Sequence, residues 1–233
     1  EALRGADAAI LAITTGGQEA DFRSFEVCAK YGIPVGVGDT LGPTALARNL
    51  RTVPVVLEMV RDMEELCPQA VLLNFTNPMS VLTGVMARHA SFPVWGLCHS
   101  GDEVREHLAR LFGVPGDAVR MLLAGVDHQS FVTRLEIAGA DRTADILPAS
   151  ERQGGEIADS LTGVREDTRL QREICRLLGL WPSTGGSHLA EFYRFFFTPR
   201  RAGELGLDRH LKRIIPGRAP FGARPCPEIL RQW

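Results

Sequence analysis

Residues 70–78 read Ala70-Val71-Leu72-Leu73-Asn74-Phe75-Thr76-Asn77-Pro78, an apolar run that ends in a polar turn. Similar runs at residues 8–13 and 94–98 also end in small, polar or glycine residues. They lack the alternation of apolar and polar residues that marks a half-exposed strand, and are therefore typical of buried parallel strands. Segments with helical periodicity lie between and after these apolar runs, at residues 18–31, 43–66, 79–89 and 101–112. This order predicts an α/β fold with right-handed crossovers and a parallel sheet covered by helices on both faces.

The pattern changes near residue 120. Residues 131–137 alternate between apolar and polar, which predicts an antiparallel strand with one exposed face, and residues 149–180 are polar and helix-prone. We therefore predict two domains, residues 1–120 with the parallel sheet and residues 121–233 with an α+β fold. No Gly-x-Gly fingerprint precedes the first strand, so we expect the sheet to be incomplete at its N-terminal side.

Composition excludes several classes of protein. The net charge of −2 and pI of about 6.3 argue against a nucleic-acid binder, which would carry a basic excess. No apolar stretch reaches the ~18–20 residues that span a bilayer. The five cysteines form no CxxC pair and are widely spaced, which predicts free thiols in a reducing, cytoplasmic setting.

Three polar segments follow the three predicted strands. They are 14–17 (Thr-Thr-Gly-Gly), 76–78 (Thr-Asn-Pro) and 98–100 (Cys-His-Ser). Ligands of open α/β sheets bind beyond the carboxyl ends of the strands, so these segments are expected to line one crevice. The alternative is that they are ordinary turns, which commonly use the same residue types.

Cys98 and His128 form a candidate metal pair. A thiolate and a neutral imidazole suit Mn, Fe, Co, Ni or Zn, and two protein ligands leave coordination positions open for substrate. The alternative is a structural cysteine and a histidine satisfied in the core. Asp39 is either a site residue or a turn aspartate. His188 and Glu191 lie at i, i+3 on one helix face, where they either reach a substrate together or belong to a helix start.

Several segments, in this order and spacing, resemble glycoside hydrolase family 4, the NAD- and metal-dependent glycosidases. The matching segments are 5–7 with 15–17, 51–56, 74–79, 96–100 and 124–128. The resemblance implies a Rossmann-like NAD-binding domain followed by a substrate and oligomerisation domain of the lactate/malate dehydrogenase C-terminal type. It also implies homo-oligomers.

The resemblance implies roles for individual residues. Cys98 and His128 match the ligands of a divalent metal, usually Mn²⁺. Asn77 matches a residue that holds substrate hydroxyls, and His188 lies in a matching substrate-binding segment. Candidate catalytic residues are Asp39, His99, where some members carry a leaving-group acid, and Tyr193 as the base. Contacts to NAD are expected from Thr14, Thr15, Gly16, Gly17 and Asn74.

The implied reaction differs from two-carboxylate glycoside hydrolysis. NAD⁺ removes a hydride from the sugar C3, a base takes the C2 proton, and the glycosidic oxygen leaves by elimination; water then adds at C1 and the hydride returns. The Cys-His-Ser segment at 98–100 is similar to that of members acting on unphosphorylated α-glycosides, such as α-galactosides, α-glucosides or α-glycuronides.

Two other interpretations remain open. A 2-hydroxyacid dehydrogenase would share the fold and the Asn-Pro turn, but would need no metal and would leave Cys98 unexplained. An inactive family fragment that serves as a scaffold would explain the missing glycine fingerprint, but not the retained Cys98, His128 and Asn77. A metal assay separates the glycosidase from the dehydrogenase.

Overall fold

A computed structural model describes residues 2–31, 33, 35, 37–154, 156–158 and 165–193. The chain forms two compact units, which divide between Cys98 and His99. The sequence placed the domain boundary at 120/121 instead. The helix at 100–112 accounts for the difference, because it packs on elements of the second unit. The part of the predicted second domain from 194 to 233 lies outside the described residues.

The first unit has the predicted order of strands and helices, with two helices between the first two strands. Its elements are β1 (Ala8–Leu11), α1 (Gly17–Lys30), α2 (Gly42–Leu66), β2 (Val71–Asn74), α3 (Met79–His89) and β3 (Val94–Gly96). The strands form a parallel sheet in the order β1-β2-β3, in which Leu11 pairs with Asn74 and Asn74 with Gly96. The predicted long helix is confirmed as α2, which continues through Pro54.

Helices cover one face of this sheet. Leu11 and Leu72 point to that face and pack against apolar side chains of α2 and α3. The fully buried members on these helices are Val56, Val60, Met63, Leu82 and Met86. On the opposite face Ile10, Leu73 and Trp95 are neighbours in register, and Ile10 and Trp95 are 69% and 62% exposed. Among the described residues, the helices of this unit pack on one face of the sheet, whereas the prediction placed helices on both faces; an apolar run does not specify what covers each side.

The second unit combines an antiparallel sheet with helices. Its elements are α4 (Ser100–Phe112), β4 (Val119–Val126), β5 (Gln129–Ile137), β6 (Ala140–Asp141), α5 (Ile146–Gln153), β7 (Glu156–Ala158), β8 (Arg165–Asp167), α6 (Arg169–Leu178), β9 (Trp181–Pro182) and α7 (Gly186–Phe192). β5 pairs with β4, β6 and β9, and β7 pairs with β8, all antiparallel. The predicted strand at 131–137 is confirmed within β5.

The core of the second unit lies between α4 and the sheet. Val104 and Leu108 of α4 pack with Val132 and Leu135 of β5 and with Trp181 of β9. The buried residues of β5 are Val132, Leu135 and Ile137, so the predicted period of two holds from Leu135 to Ile137 and is interrupted at Thr133, where the pairing with β4 shifts register. Within the described residues, none of the helices combines the length and the apolar character required to cross a membrane.

Candidate active site

The three polar segments leave the same edge of the parallel sheet. β1, β2 and β3 are neighbours with parallel pairing, so their carboxyl ends lie side by side. The Leu97 amide donates to the Asn74 carbonyl at 2.9 Å, which places Cys98 one residue beyond that edge. The Cys98 side chain is exposed. This convergence is the one expected for a ligand crevice in an open α/β sheet.

Buried polar side chains fix the end of β2 to the end of β1. The Thr76 hydroxyl accepts a hydrogen bond from the Ile13 amide at 2.9 Å and donates to the Leu11 carbonyl at 3.4 Å. Asn74 is fully buried; its amide nitrogen donates to the Thr83 hydroxyl at 3.0 Å, and its oxygen accepts from the Thr76 amide at 2.9 Å. The same nitrogen also donates to the Thr76 and Met79 carbonyls, so a cofactor contact through this nitrogen would replace one of these hydrogen bonds.

Asp39 and Asn77 meet at this edge, although 38 positions separate them. The Asn77 amide nitrogen donates to Asp39 Oδ2 at 2.6 Å, and its oxygen accepts from the Met79 backbone amide at 3.2 Å. Asp39 also accepts from the Thr40 hydroxyl at 3.2 Å. Neither Asp39 nor Asn77 is fully buried. The peptide bond between Asn77 and Pro78 is cis. The structure thus brings together a carboxylate and an amide that the sequence selected separately.

The segment between β1 and α1 has the backbone of an anion site. Gly16 and Gly17 have φ values of +80° and +65°, which residues other than glycine rarely adopt. The helix α1 begins at Gly17. The Thr15 hydroxyl is buried and has no hydrogen-bond partner among the described residues. Such an orphaned donor beside the N-terminus of a long helix fits a phosphate-bearing ligand such as a dinucleotide.

His128 lies in the hairpin loop between β4 and β5, in the second unit. Its side chain is 8% exposed, and its Nε2 atom is 3.8 Å from Asp127 Oδ1. The ring centroid lies 4.5 Å from that of His188 and 5.5 Å from that of Phe192, both on α7. The structure therefore brings His128 and His188 together, as two imidazoles at one end of the antiparallel sheet.

His99 and Tyr193 occupy different settings within the second unit. His99 precedes α4, is more than half exposed, and its Nε2 atom is 3.0 Å from Glu103 Oε1. Tyr193 follows α7 and packs against an apolar cluster around Leu189. Burial raises the pKa of the Tyr193 phenol, which favours its neutral form. Phe192, the residue before Tyr193, contacts the His128 ring edge-on.

Cys98 and His128 are the side chains whose chemistry suits a divalent metal. The described residues contain no cluster of three or more histidine, cysteine or carboxylate side chains. Cys98 belongs to the first unit and His128 to the second. An accessible thiol and a nearly buried imidazole nonetheless match the ligand preferences of borderline divalent metals.

Sequence reasoning missed a pair of hydroxyl groups beside His128. Ser130 and Ser183 are joined by a hydrogen bond of 2.6 Å between their Oγ atoms. Ser183 follows the two-residue strand β9, whose pairing with β5 is not visible in any periodic pattern. The signal available from the sequence is the run of small residues at 183–187 (Ser-Thr-Gly-Gly-Ser), which is also typical of the turn before a helix.

Comparisons with known proteins agree on one family. Residues 1–114 match the model of family 4 glycosyl hydrolases. An α-galactosidase of Bacillus subtilis is 30% identical over 220 residues, which cover 92% of this chain and 49% of that protein. The crystal structure of Bacillus subtilis LplD superposes with a TM-score of 0.78 at 25% identity, covering 99% of this chain and 54% of the other.

A second solved structure shows the same fold at lower identity. A 6-phospho-α-glucosidase from gut microorganisms, in complex with NAD and Mn²⁺, superposes with a TM-score of 0.71 at 16% identity, covering 99% of this chain and 53% of the other. The chain spans about half the length of the proteins that it matches. Residues 1–114, which include the parallel sheet and the segments at its carboxyl edge, belong to family 4 of the glycosyl hydrolases.

Proposed function

We propose that the protein is an NAD- and Mn²⁺-dependent glycosidase that cleaves unphosphorylated α-glycosides. The observation that carries this proposal is the carboxyl edge of the parallel sheet, where Asn77 and Asp39 are joined and Cys98 follows the neighbouring strand. In support, a relative of this chain is named as an α-galactosidase, and a solved structure of the same fold is described with NAD and Mn²⁺.

The residues at the strand ends would bind the two cofactors. Thr14, Thr15, Gly16 and Gly17 would hold the dinucleotide, because the α1 N-terminus and the orphaned Thr15 hydroxyl favour a phosphate. Cys98 and His128 would hold the metal. When bound, NAD would accept a hydride from the sugar C3 and later return it, and the metal would polarise the C3 oxygen.

Asp39 and Asn77 would orient the sugar. The Asp39 carboxylate keeps acceptor capacity beyond its bonds to Asn77 and Thr40, so it can accept a hydrogen bond from a sugar hydroxyl. Asn77 would fix the direction of that carboxylate, because its own side chain is anchored on the Met79 amide. His188, beside His128, would contact another hydroxyl of the same sugar.

His99 and Tyr193 would move protons. The exposed His99 imidazole, whose Nε2 atom lies 3.0 Å from Glu103 Oε1, would protonate a departing glycosidic oxygen. Tyr193 would take the C2 proton. Since burial raises its pKa, this role requires a nearby cation that favours the phenolate.

The test measures metal content and NAD⁺ binding on the purified chain, its Cys98→Ser and His128→Gln variants, and His89→Gln as an exposed-histidine control. We expect about one Mn²⁺ per wild-type chain, loss of the metal in the two site variants and retention in the control. Turnover of α-glycosides, but not of 6-phospho-glycosides, is expected under reducing conditions.

The other outcomes separate the alternatives. NAD⁺ binding without metal in the wild type would favour a 2-hydroxyacid dehydrogenase, and metal without NAD⁺ would reject the redox mechanism. Neither ligand would favour an inactive scaffold. We further propose homo-oligomers in a reducing, cytoplasmic setting, and the buried thiols of Cys28, Cys67 and Cys175, which form no disulfide among the described residues, are consistent with that setting. Light scattering after size exclusion tests the oligomeric state.

A further inference from the structure

The loop that carries His128 has only two residues. Val126 pairs with Gln129, so Asp127 and His128 alone connect β4 to β5. Asp127 has a φ of +50°, in the left-handed region. A loop this short transmits any change in the Asp127 peptide directly to the direction of the His128 ring.

The hydrogen bonds around this loop have one consistent direction. Ser130 Oγ donates to the Asp127 carbonyl at 2.8 Å. A serine hydroxyl carries a single proton, so Ser130 accepts in its 2.6 Å contact with Ser183, and Ser183 is the donor. The result is a chain from Ser183 through Ser130 to the carbonyl of Asp127.

This chain of hydroxyls also fixes the segment that leads to His188. Ser183 is 1% exposed, and its backbone amide donates to the Ser130 carbonyl at 3.0 Å. Ser183 therefore holds β5 through both its amide and its hydroxyl, and α7 begins three residues later at Gly186. The contact between Ser130 and Ser183 therefore connects the His128 loop to the segment that precedes α7. The His128 and His188 ring centroids lie 4.5 Å apart.

We propose that Ser130 and Ser183 are positioning residues that set the orientation of the His128 ring relative to His188, and through it the affinity of the metal site. The proposal rests on the proposed function for the assignment of His128 as a ligand. Groups that orient a metal-binding histidine commonly change metal affinity by about 10–100-fold when they are removed.

The experiment compares Ser130→Ala, Ser183→Ala and Ser130→Thr with Thr133→Ala. Ser130→Thr keeps the hydroxyl on a strand residue. Thr133→Ala is the matched control, because it removes a hydroxyl of the same hairpin that donates to the Leu122 carbonyl at 3.1 Å, away from the loop. Mn²⁺ affinity is measured by electron paramagnetic resonance of the free ion. Imidazole ¹H–¹⁵N spectra report ring geometry, with His128 assigned from His128→Gln.

Both alanine variants at the serine positions are expected to weaken Mn²⁺ binding about 10–100-fold and to shift the His128 and His188 resonances. Ser130→Thr and Thr133→Ala are expected to stay near wild type. Affinity within twofold of wild type in both serine-to-alanine variants, or an equal loss in Thr133→Ala, would overturn the proposal. If the wild-type chain binds no Mn²⁺, the proposed function fails; unshifted imidazole spectra in the alanine variants would then overturn the positioning role as well.

Discussion

His107 is expected to make the second unit sensitive to acid. Its ring lies on Trp181 with centroids 5.5 Å apart and planes at 10°, and its Nε2 atom is buried without a hydrogen-bond partner among the described residues. Burial, together with the charge of Arg110, lowers the pKa of His107 from 6.5 to about 3. The folded unit therefore holds His107 neutral at pH values at which the unfolded chain carries a proton there.

The sign and size of the effect follow from proton linkage. As the pH falls below 6.5, the unfolded state binds a proton that the folded state rejects, so stability falls by about 1.4 kcal/mol per pH unit until the pH nears 3. At pH 4.5, about two units below the unfolded pKa, the loss from His107 alone is about 2.7 kcal/mol. At pH 7 the group contributes almost nothing.

His107→Phe keeps an aromatic ring on Trp181 and removes the titrating group. We expect the free energy of unfolding to drop between pH 7 and pH 4.5 by about 2.5 kcal/mol less in this variant than in the wild type. Urea unfolding measures both values, with the second unit followed by hydrogen exchange of peptides that cover β5. His89→Gln, at an exposed position on α3 in the first unit, is the control. A pH-dependent drop of the same size in His107→Phe and in wild type would refute the reasoning.

Three further outcomes are expected. Gly125→Ala should lower the free energy of unfolding by about 3 kcal/mol, because φ is +141° and a Cβ atom would collide with the backbone of β5. Gly139→Ala is the control: φ is +78°, a Cβ atom would meet open space, and the expected loss is about 1 kcal/mol. Equal losses for the two variants in urea unfolding would contradict the steric argument. Leu82 is fully buried between α3 and the sheet, so Leu82→Ala should lower the free energy of unfolding by about 2–5 kcal/mol. Val81 is partly exposed, and Val81→Ala should lower it by under about 1 kcal/mol; thermal unfolding measures both changes. In the folded protein, iodoacetamide should modify the exposed thiol of Cys98 well before the buried thiols. Mass spectrometric mapping measures the rate at each cysteine, and equal rates would contradict the burial of the other thiols. The buried thiols for comparison are Cys28, Cys67 and Cys175.

Local pattern was sufficient for most elements of the first unit. The apolar run before Asn74 and the three- and four-residue spacing along α2 each identify one element, since burial of one face requires that periodicity. The candidate edge also followed from sequence, because parallel neighbouring strands necessarily end on the same side of their sheet. The sequence did not show that the side chains of Ile10 and Trp95, on the second face of that sheet, are largely exposed.

The sequence by itself determined the strand–helix order, the polar segments that follow the strands, and the family resemblance carried by the segments between residues 5 and 128. Only the tertiary structure decided which side chains meet: Asn77 with Asp39, His128 with His188, and Ser130 with Ser183. The reason is physical. Periodicity and turn chemistry act over a few residues, whereas a hydrogen bond across 38 or 53 positions depends on the packing of whole elements, which no local pattern records.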